Sequence, residues 1–248
     1  MRLPLQPATL AQIARCAARV AELGWAEAGA GNLSLLLAPG QLTRSLHDGD
    51  IFEPGLPAGF PCRLPAGHLL VTSAAGSPMR ALAADPAAHL AIIGDGPRGL
   101  FRLRGTPPAT SELACHLAVH ARRAGPGALL HAHTDFLIAL SLLPRLAGEG
   151  ALEAALLGLM PETGALLPGG LARLRLAVPG SAALGLASAE AIVAGGVSAL
   201  VWERHGALAV GDHLAQALDR LEVLEKTARI WWLAEGGEAD SLGARPRG

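Results

Sequence analysis

The residues of this chain best suited to chemistry are the paired histidines of Leu129-Leu130-His131-Ala132-His133. In a strand, side chains two apart point to the same face, so His131 and His133 stand side by side. That spacing suits a small transition-metal ion, since two histidines with one or two further ligands make an ordinary zinc set. Two hydrogen-bonded, partly buried histidines are the other reading. His205 ends a strand and is followed by Gly206. It either reaches into a cleft where backbones approach closely or simply makes a turn. Glu112 falls just inside the first turn of a helix, where the dipole favours a carboxylate with or without chemistry. Thr110 and Ser111 share that terminus. Its free N–H groups suit a phosphate, and capping alone accounts for the hydroxyls equally well.

The elements that must position these groups are visible in the periodicity. Leu10, Ile13, Ala17, Val20 and Leu23 share one face of a helix over 9–23, and Gly24 suits the left-handed position that ends it. A turn, Gly29-Ala30-Gly31-Asn32, leads into a strand over 33–37. Residues 38–66 mix Pro, Gly and charge without period and predict a long irregular excursion. Strands follow at 68–72, 89–94, 100–104, 128–133, 172–178 and 198–204. Helices are predicted at 78–83, 110–123, after Thr134, at 187–195 and at 212–235. Gly125-Pro126-Gly127 stops the helix that precedes the histidine strand, and 236–248 reads as a polar tail beyond a domain of residues 1–235. Strands and helices alternate without a dinucleotide-binding fingerprint, which predicts an α/β or α+β architecture around a single sheet.

Composition narrows the function. At 248 residues, 51% apolar and 17% charged, the chain can bury a sizeable core and is not a disordered segment. With 20 basic against 21 acidic residues and no basic run, it lacks the cationic footprint of a dedicated nucleic-acid binder. Every long apolar stretch is broken before the roughly 18 residues that a membrane span requires. The opening MRLPLQPATLAQIAR lacks the apolar core of a signal peptide. Cys16, Cys62 and Cys115 form no CxxC pair and are odd in number, which predicts a reduced, cytoplasmic protein.

Taken in order, the motifs resemble the class II aldolase/adducin family from about residue 10 to residue 232. Gly24-Trp25-Ala26-Glu27 with Gly31-Asn32-Leu33-Ser34, Val71-Thr72 and the stretch LAADPAAHL from Leu82 to Leu90 carry the first half. Thr110-Ser111-Glu112-Leu113, His131-Ala132-His133, Val178-Pro179-Gly180 and His205-Gly206 carry the second. The resemblance is nearest to the branch that cleaves rhamnulose 1-phosphate. It implies a single-domain, three-layer α/β/α fold with a central mixed, largely antiparallel sheet. It implies zinc, or another divalent transition ion, on His131, His133 and His205, with Glu112 beside the ion as base. Glu162, in Pro161-Glu162-Thr163-Gly164, falls where the family has a second catalytic glutamate, although the residues alone read as a surface loop. Gly31, Asn32, Thr110 and Ser111 fall on phosphate-cradle positions. The implied reaction splits a ketose 1-phosphate, such as rhamnulose 1-phosphate or fuculose 1-phosphate, into dihydroxyacetone phosphate and an aldehyde. The implied assembly is a cyclic homotetramer with active sites between subunits. Such a cleavage leaves negative charge beside a carbonyl, which a divalent cation offsets without a Schiff-base lysine. Lysine is scarce here, and Lys226 sits in the final helix.

Two turns depart from the family's pattern. Ala28-Gly29-Ala30-Gly31 replaces a more polar stretch, and Ser73-Ala74-Ala75-Gly76 lacks the usual phosphate-binding hydroxyl unless Ser73 or Ser77 supplies it from a shifted register. A lost hydroxyl removes a charge-assisted hydrogen bond worth on the order of 1.5–3 kcal/mol. A different phosphorylated sugar, or a substrate without phosphate, therefore stays open. Dehydration or epimerisation at the same metal site stays open too. A non-catalytic, adducin-like module is the third reading, and the intact set of histidines with Glu112 argues against it. His116 reads either as a hydrogen-bonded neighbour of the site or as helix packing. Trp202, Trp231 and Trp232 suit the core better than an interface, and His47, His68, His89, His120 and His213 read as ordinary.

Overall fold

The computed structural model describes residues 3–52, 62–97, 99–123 and 127–235. The predicted tail over 236–248, the stop at Gly125-Pro126 and part of the 38–66 excursion lie outside the described residues. The strands are β1 (Asn32–Leu37), β2 (Ile51–Phe52), β3 (Leu69–Ser73), β4 (Leu90–Gly96), β5 (Gly99–Leu103), β6 (Gly127–Ala132), β7 (Leu171–Leu174), β8 (Ala199–Trp202) and β9 (Gly206–Gly211). They form one sheet in the order β2-β5-β4-β3-β1-β6-β9-β8-β7. Every neighbouring pair is antiparallel except β7 with β8. The mixed, largely antiparallel sheet is the one expected.

The helices are α1 (Pro7–Glu22), α2 (Met79–Ala84), α3 (Leu113–Arg122), α4 (Asp135–Ser141), α5 (Ala151–Leu157), α6 (Pro161–Leu166), α7 (Ala182–Ala189) and α8 (Leu214–Ala234). Strand alternation divides them between two faces. Leu33, Leu35, Leu130, Val201 and Ala209 point to one side, where they pack with Ile13 and Val20 of α1 and Leu221 and Leu224 of α8. Their neighbours Leu129, Leu200 and Leu208 point to the other, against Cys115 and Val119 of α3 and Leu184 of α7. Leu36, Leu70 and Ile93 continue that second face under Leu113 and Leu117 of α3. Period-two burial on both sides of a sheet makes three layers, α/β/α.

Several boundaries differ from expectation, each for a local reason. The strand predicted over 172–178 stops at Leu174, and the one predicted over 198–204 stops at Trp202, because a turn must follow to aim His205. β9, Gly206-Ala-Leu-Ala-Val-Gly211, went unrecognised because small residues give it little strand propensity; it is buried along its length by β6 and β8 instead. α5 and α6 are too short to show a helical period. α7 starts at Ala182 rather than 187, since the Ser181 hydroxyl caps it by accepting from the Leu184 amide at 3.2 Å.

Candidate metal centre and substrate cleft

His131 lies near the end of β6 and points to the α3 face, and His133 follows just beyond the strand. The His133 amide donates to the Trp25 carbonyl at 2.9 Å, which ties this end of β6 to the Gly24–Asn32 turn. His205 arrives from the opposite direction in the turn between β8 and β9, where its amide donates to the Trp202 carbonyl at 3.0 Å. Arg204 holds that turn with φ +61°, and its amide donates to the Ser141 hydroxyl at 3.0 Å. Gly206 is required by close approach: a Cβ there would lie 2.5 Å from the Ala132 carbonyl oxygen and 2.9 Å from the His131 ring.

The three rings converge. Centroids lie 5.3 Å apart for His131 and His133, 4.8 Å for His131 and His205, and 5.3 Å for His133 and His205. One ring nitrogen from each lies within 4.8 Å of the others. The remaining nitrogens sort the roles. His131 Nδ1 donates to the Ala207 carbonyl at 2.9 Å and His133 Nδ1 donates to Glu27 Oε1 at 2.7 Å, so in each ring Nε2 is the nitrogen left to face the space between them. Trp202 stacks on His205 at 5.1 Å and lies 4.6 Å from His131, walling the pair with an apolar surface. Burial holds the His131 imidazole well below the usual range, with His205 and His133 as lesser causes. Burial, with His133, lowers His205 to about 4. His131 and His205 are therefore neutral at pH 7, the form that ligates. Three imidazole nitrogen donors around a space free of protein atoms fit a divalent transition ion and leave a coordination position for substrate. The Glu27 carboxylate, pushed up by burial, is brought below its ordinary value by the hydrogen bond from His133 and one from its own backbone.

Glu112 completes the group. Helix α3 begins at Leu113, so Glu112 occupies the N-cap position instead of the first turn, and its side chain caps nothing. Thr110 Oγ1 accepts from the Glu112 amide at 3.3 Å, which ties the backbone at the helix start. Glu112 Oε1 sits 3.8 Å from His205 Nε2, and Oε2 is buried without a hydrogen-bond partner. Burial raises its carboxyl above the ordinary range, and the Gly180 amide and His133 oppose that shift. A buried carboxylate with one unpartnered oxygen, beside three histidines that could hold a metal, has the setting of a group that exchanges a proton.

These groups open on a cleft of about 200 Å³ lined by Gly29–Asn32, Ala74, Gly76, Thr110–Glu112, Pro179 and the three histidines. Gly31 holds the turn at φ +73°, where a side chain would be strained and its Cβ would lie 3.2 Å from the His131 carbonyl oxygen. Gly31, Asn32, Thr110 and Ser111 thus all reach the cleft. Ser73 does not. Its side chain is buried, and Oγ accepts from the Leu33 amide at 3.2 Å, so it is spent inside the sheet. Ser77 is likewise engaged with His89 at 2.5 Å. Glu162 stands exposed in the first turn of α6, on the side of α8, and the fold of the chain does not bring it to the cleft of the histidines. Lys226, the only lysine of the chain, lines a different groove between α1, α4 and α8. Two hydrogen-bonded neighbours of this region escaped sequence reasoning: Glu27, which no local pattern ties to His133, and His120, which lies one turn after His116 on the same face of α3. The i, i+4 spacing of those two histidines was the available signal.

Comparison with known proteins agrees with this architecture. Residues 11–232 match the family described as Class II Aldolase and Adducin N-terminal domain. A rhamnulose-1-phosphate aldolase of Listeria welshimeri is 30% identical over 217 residues, covering 84% of this chain and 77% of that protein. The crystal structure of a sugar-phosphate aldolase from Thermotoga maritima superposes with a TM-score of 0.76 at 28% identity, over 95% of this chain and 98% of that one. An L-fuculose-1-phosphate aldolase from Thermus thermophilus shares the fold, with a TM-score of 0.62 at 21% identity over 96% and 99% of the two chains. The chain belongs to the class II aldolase and adducin N-terminal domain family.

Proposed function

We propose that this protein is a metal-dependent carbon–carbon lyase that cleaves a ketose 1-phosphate, of the rhamnulose or fuculose kind, to dihydroxyacetone phosphate and an aldehyde. The observation that carries the reading is the convergence of His131, His133 and His205, rings 4.8–5.3 Å apart, beside the buried carboxylate of Glu112, whose Oε2 has no partner. Those imidazoles would hold the ion, zinc or another divalent transition metal. When bound, it would polarise the substrate carbonyl and offset the negative charge that bond cleavage leaves beside it. Glu112 takes the proton from the substrate hydroxyl as the bond breaks and returns one to carbon. The Gly29–Asn32 turn, with Thr110 and Ser111, binds the phosphate through N–H and O–H donors. Trp202 and Pro179 exclude water from the metal side. Glu162, exposed on α6, serves the site of a neighbouring copy in a homotetramer with sites between subunits. The buried thiols of Cys16, Cys62 and Cys115, all unpaired, suit a cytoplasmic setting. Among the described residues no helix is long and apolar enough to cross a membrane.

One observation supports a second reading, an epimerase or dehydratase on the same metal site. Within the protomer Glu112 is the only carboxylate among the described residues lining the cleft. Product analysis separates the two, since only the aldolase releases dihydroxyacetone phosphate. The test of the primary reading is Glu112→Gln. It retains the metal and loses about 10²–10⁴-fold in turnover of a ketose 1-phosphate panel, the usual worth of a positioned acid–base group. Unchanged turnover would remove Glu112 as the base.

A further inference from the structure

A chain of buried polar side chains runs under the cleft. His116 Nε2 lies 2.6 Å from Asn32 Oδ1, His116 Nδ1 lies 2.7 Å from Ser34 Oγ, and Ser34 Oγ lies 2.9 Å from His120 Nε2. Ser34, His116 and His120 are 0% exposed, and Asn32 is 5% exposed at the cleft wall. The chain ends at His120 Nδ1, which is buried and has no partner. That end sets the direction of every hydrogen bond. If protons pointed outward along the chain, His120 Nδ1 would be a buried N–H donor with no acceptor, the costlier kind of orphan. With Nδ1 a bare lone pair, His120 Nε2–H donates to Ser34. The Ser34 hydroxyl then donates to His116 Nδ1, and His116 Nε2–H donates to Asn32 Oδ1.

We infer that His116 is a positioning residue which, braced by Ser34 and His120, locks the Asn32 carboxamide with its oxygen inward and its NH₂ turned into the cleft as a donor for a phosphate oxygen. An unbraced carboxamide turns over readily and presents either a donor or an acceptor, and an acceptor repels an anion. The lock matters in this chain because Ser73 and Ser77 are occupied elsewhere and the Ala74-Ala75-Gly76 turn offers no hydroxyl. Asn32 also pairs with His131 across β1 and β6, so the relay sets the donor beside a metal-site histidine. The inference rests on the phosphate-binding reading proposed above.

The test is titration of inorganic phosphate into the full-length protein, with and without chelator, so that phosphate held by an ion is separated from phosphate held by the cradle. Zinc affinity is measured in parallel. Asn32→Ala weakens phosphate about tenfold or more, as loss of a hydrogen bond to a charged group does. His116→Phe weakens it to a similar extent, adds nothing in the Asn32→Ala background, and leaves zinc affinity unchanged. His116→Gln, whose amide N–H replaces Nε2–H, restores phosphate affinity. If Asn32→Ala binds phosphate like the wild type, the anion-site reading itself falls. If Asn32→Ala weakens binding but His116→Phe does not, or if the two losses add, the positioning role is overturned while the anion site stands. Should His116→Phe fail to fold, Ser34→Ala carries the test: it frees the His116 tautomer and must weaken phosphate, and wild-type affinity there overturns the relay.

Discussion

The hydrogen bond from His133 Nδ1 to Glu27 Oε1, at 2.7 Å, fixes which nitrogen of that ring faces the metal space. Removing such a partner costs about 10–100-fold in metal affinity in comparable sites. Glu27→Ala is expected to lose zinc affinity within that range, and Glu27→Gln, which keeps an acceptor, to lose much less; competition with a chromogenic chelator measures both. Equal affinity in all three proteins would show that Glu27 is a bystander. At this scale the sequence was informative wherever a residue sat inside a short ordered motif. His131, His133, His205 and Glu112, which the structure brings together, were singled out that way. Glu27 and His120 were not, because their roles depend on contacts 106 and 86 residues away along the chain. Ser73 was misplaced because its hydroxyl serves Leu33 across the β1–β3 pair, a partnership of register that composition does not reveal.

Between β8 and β9 the turn Glu203–His205 carries the third histidine of the group, and its geometry depends on how closely β9 approaches β6. Gly206 permits that approach. Gly206→Ala would force a Cβ against the Ala132 carbonyl and the His131 ring, and overpacking of this kind costs typically about 1–3 kcal/mol. A lowered melting temperature together with weakened zinc binding is the expected result; wild-type values for both would mean that the turn relaxes freely. Long periodic elements such as α1 and α8 were legible within a residue or two, because burial imposes an unambiguous stripe. β9 and the short helices α5 and α6 were not, since tertiary packing rather than local propensity stabilises them.

At the scale of the molecule, the buried histidines make stability depend on pH. Burial pushes His116 down to about 3, and burial with the neighbouring His116 and Arg123 holds His120 well below its usual value. Both stay neutral in the fold, while the unfolded chain protonates them below about 6.5. The unfolded state then binds more protons, so stability falls as pH drops from about 6.5 towards 3 and levels off above that window. The urea midpoint is expected to be lower at pH 5 than at pH 7.5, with a smaller difference in His116→Gln; a pH-independent midpoint would contradict the neutral buried network. The three layers follow from period-two burial on both faces of one sheet, and this much was readable beforehand from alternating elements and family resemblance. The sheet brings together at one end residues that lie as much as 176 positions apart, from Gly29 to His205. The most direct test of that convergence is release of dihydroxyacetone phosphate from a ketose 1-phosphate by protein as purified, after chelation, and after zinc is restored. Turnover should vanish with the metal and return with it, in step with zinc bound per chain. Full turnover by protein shown to be metal-free would contradict the account.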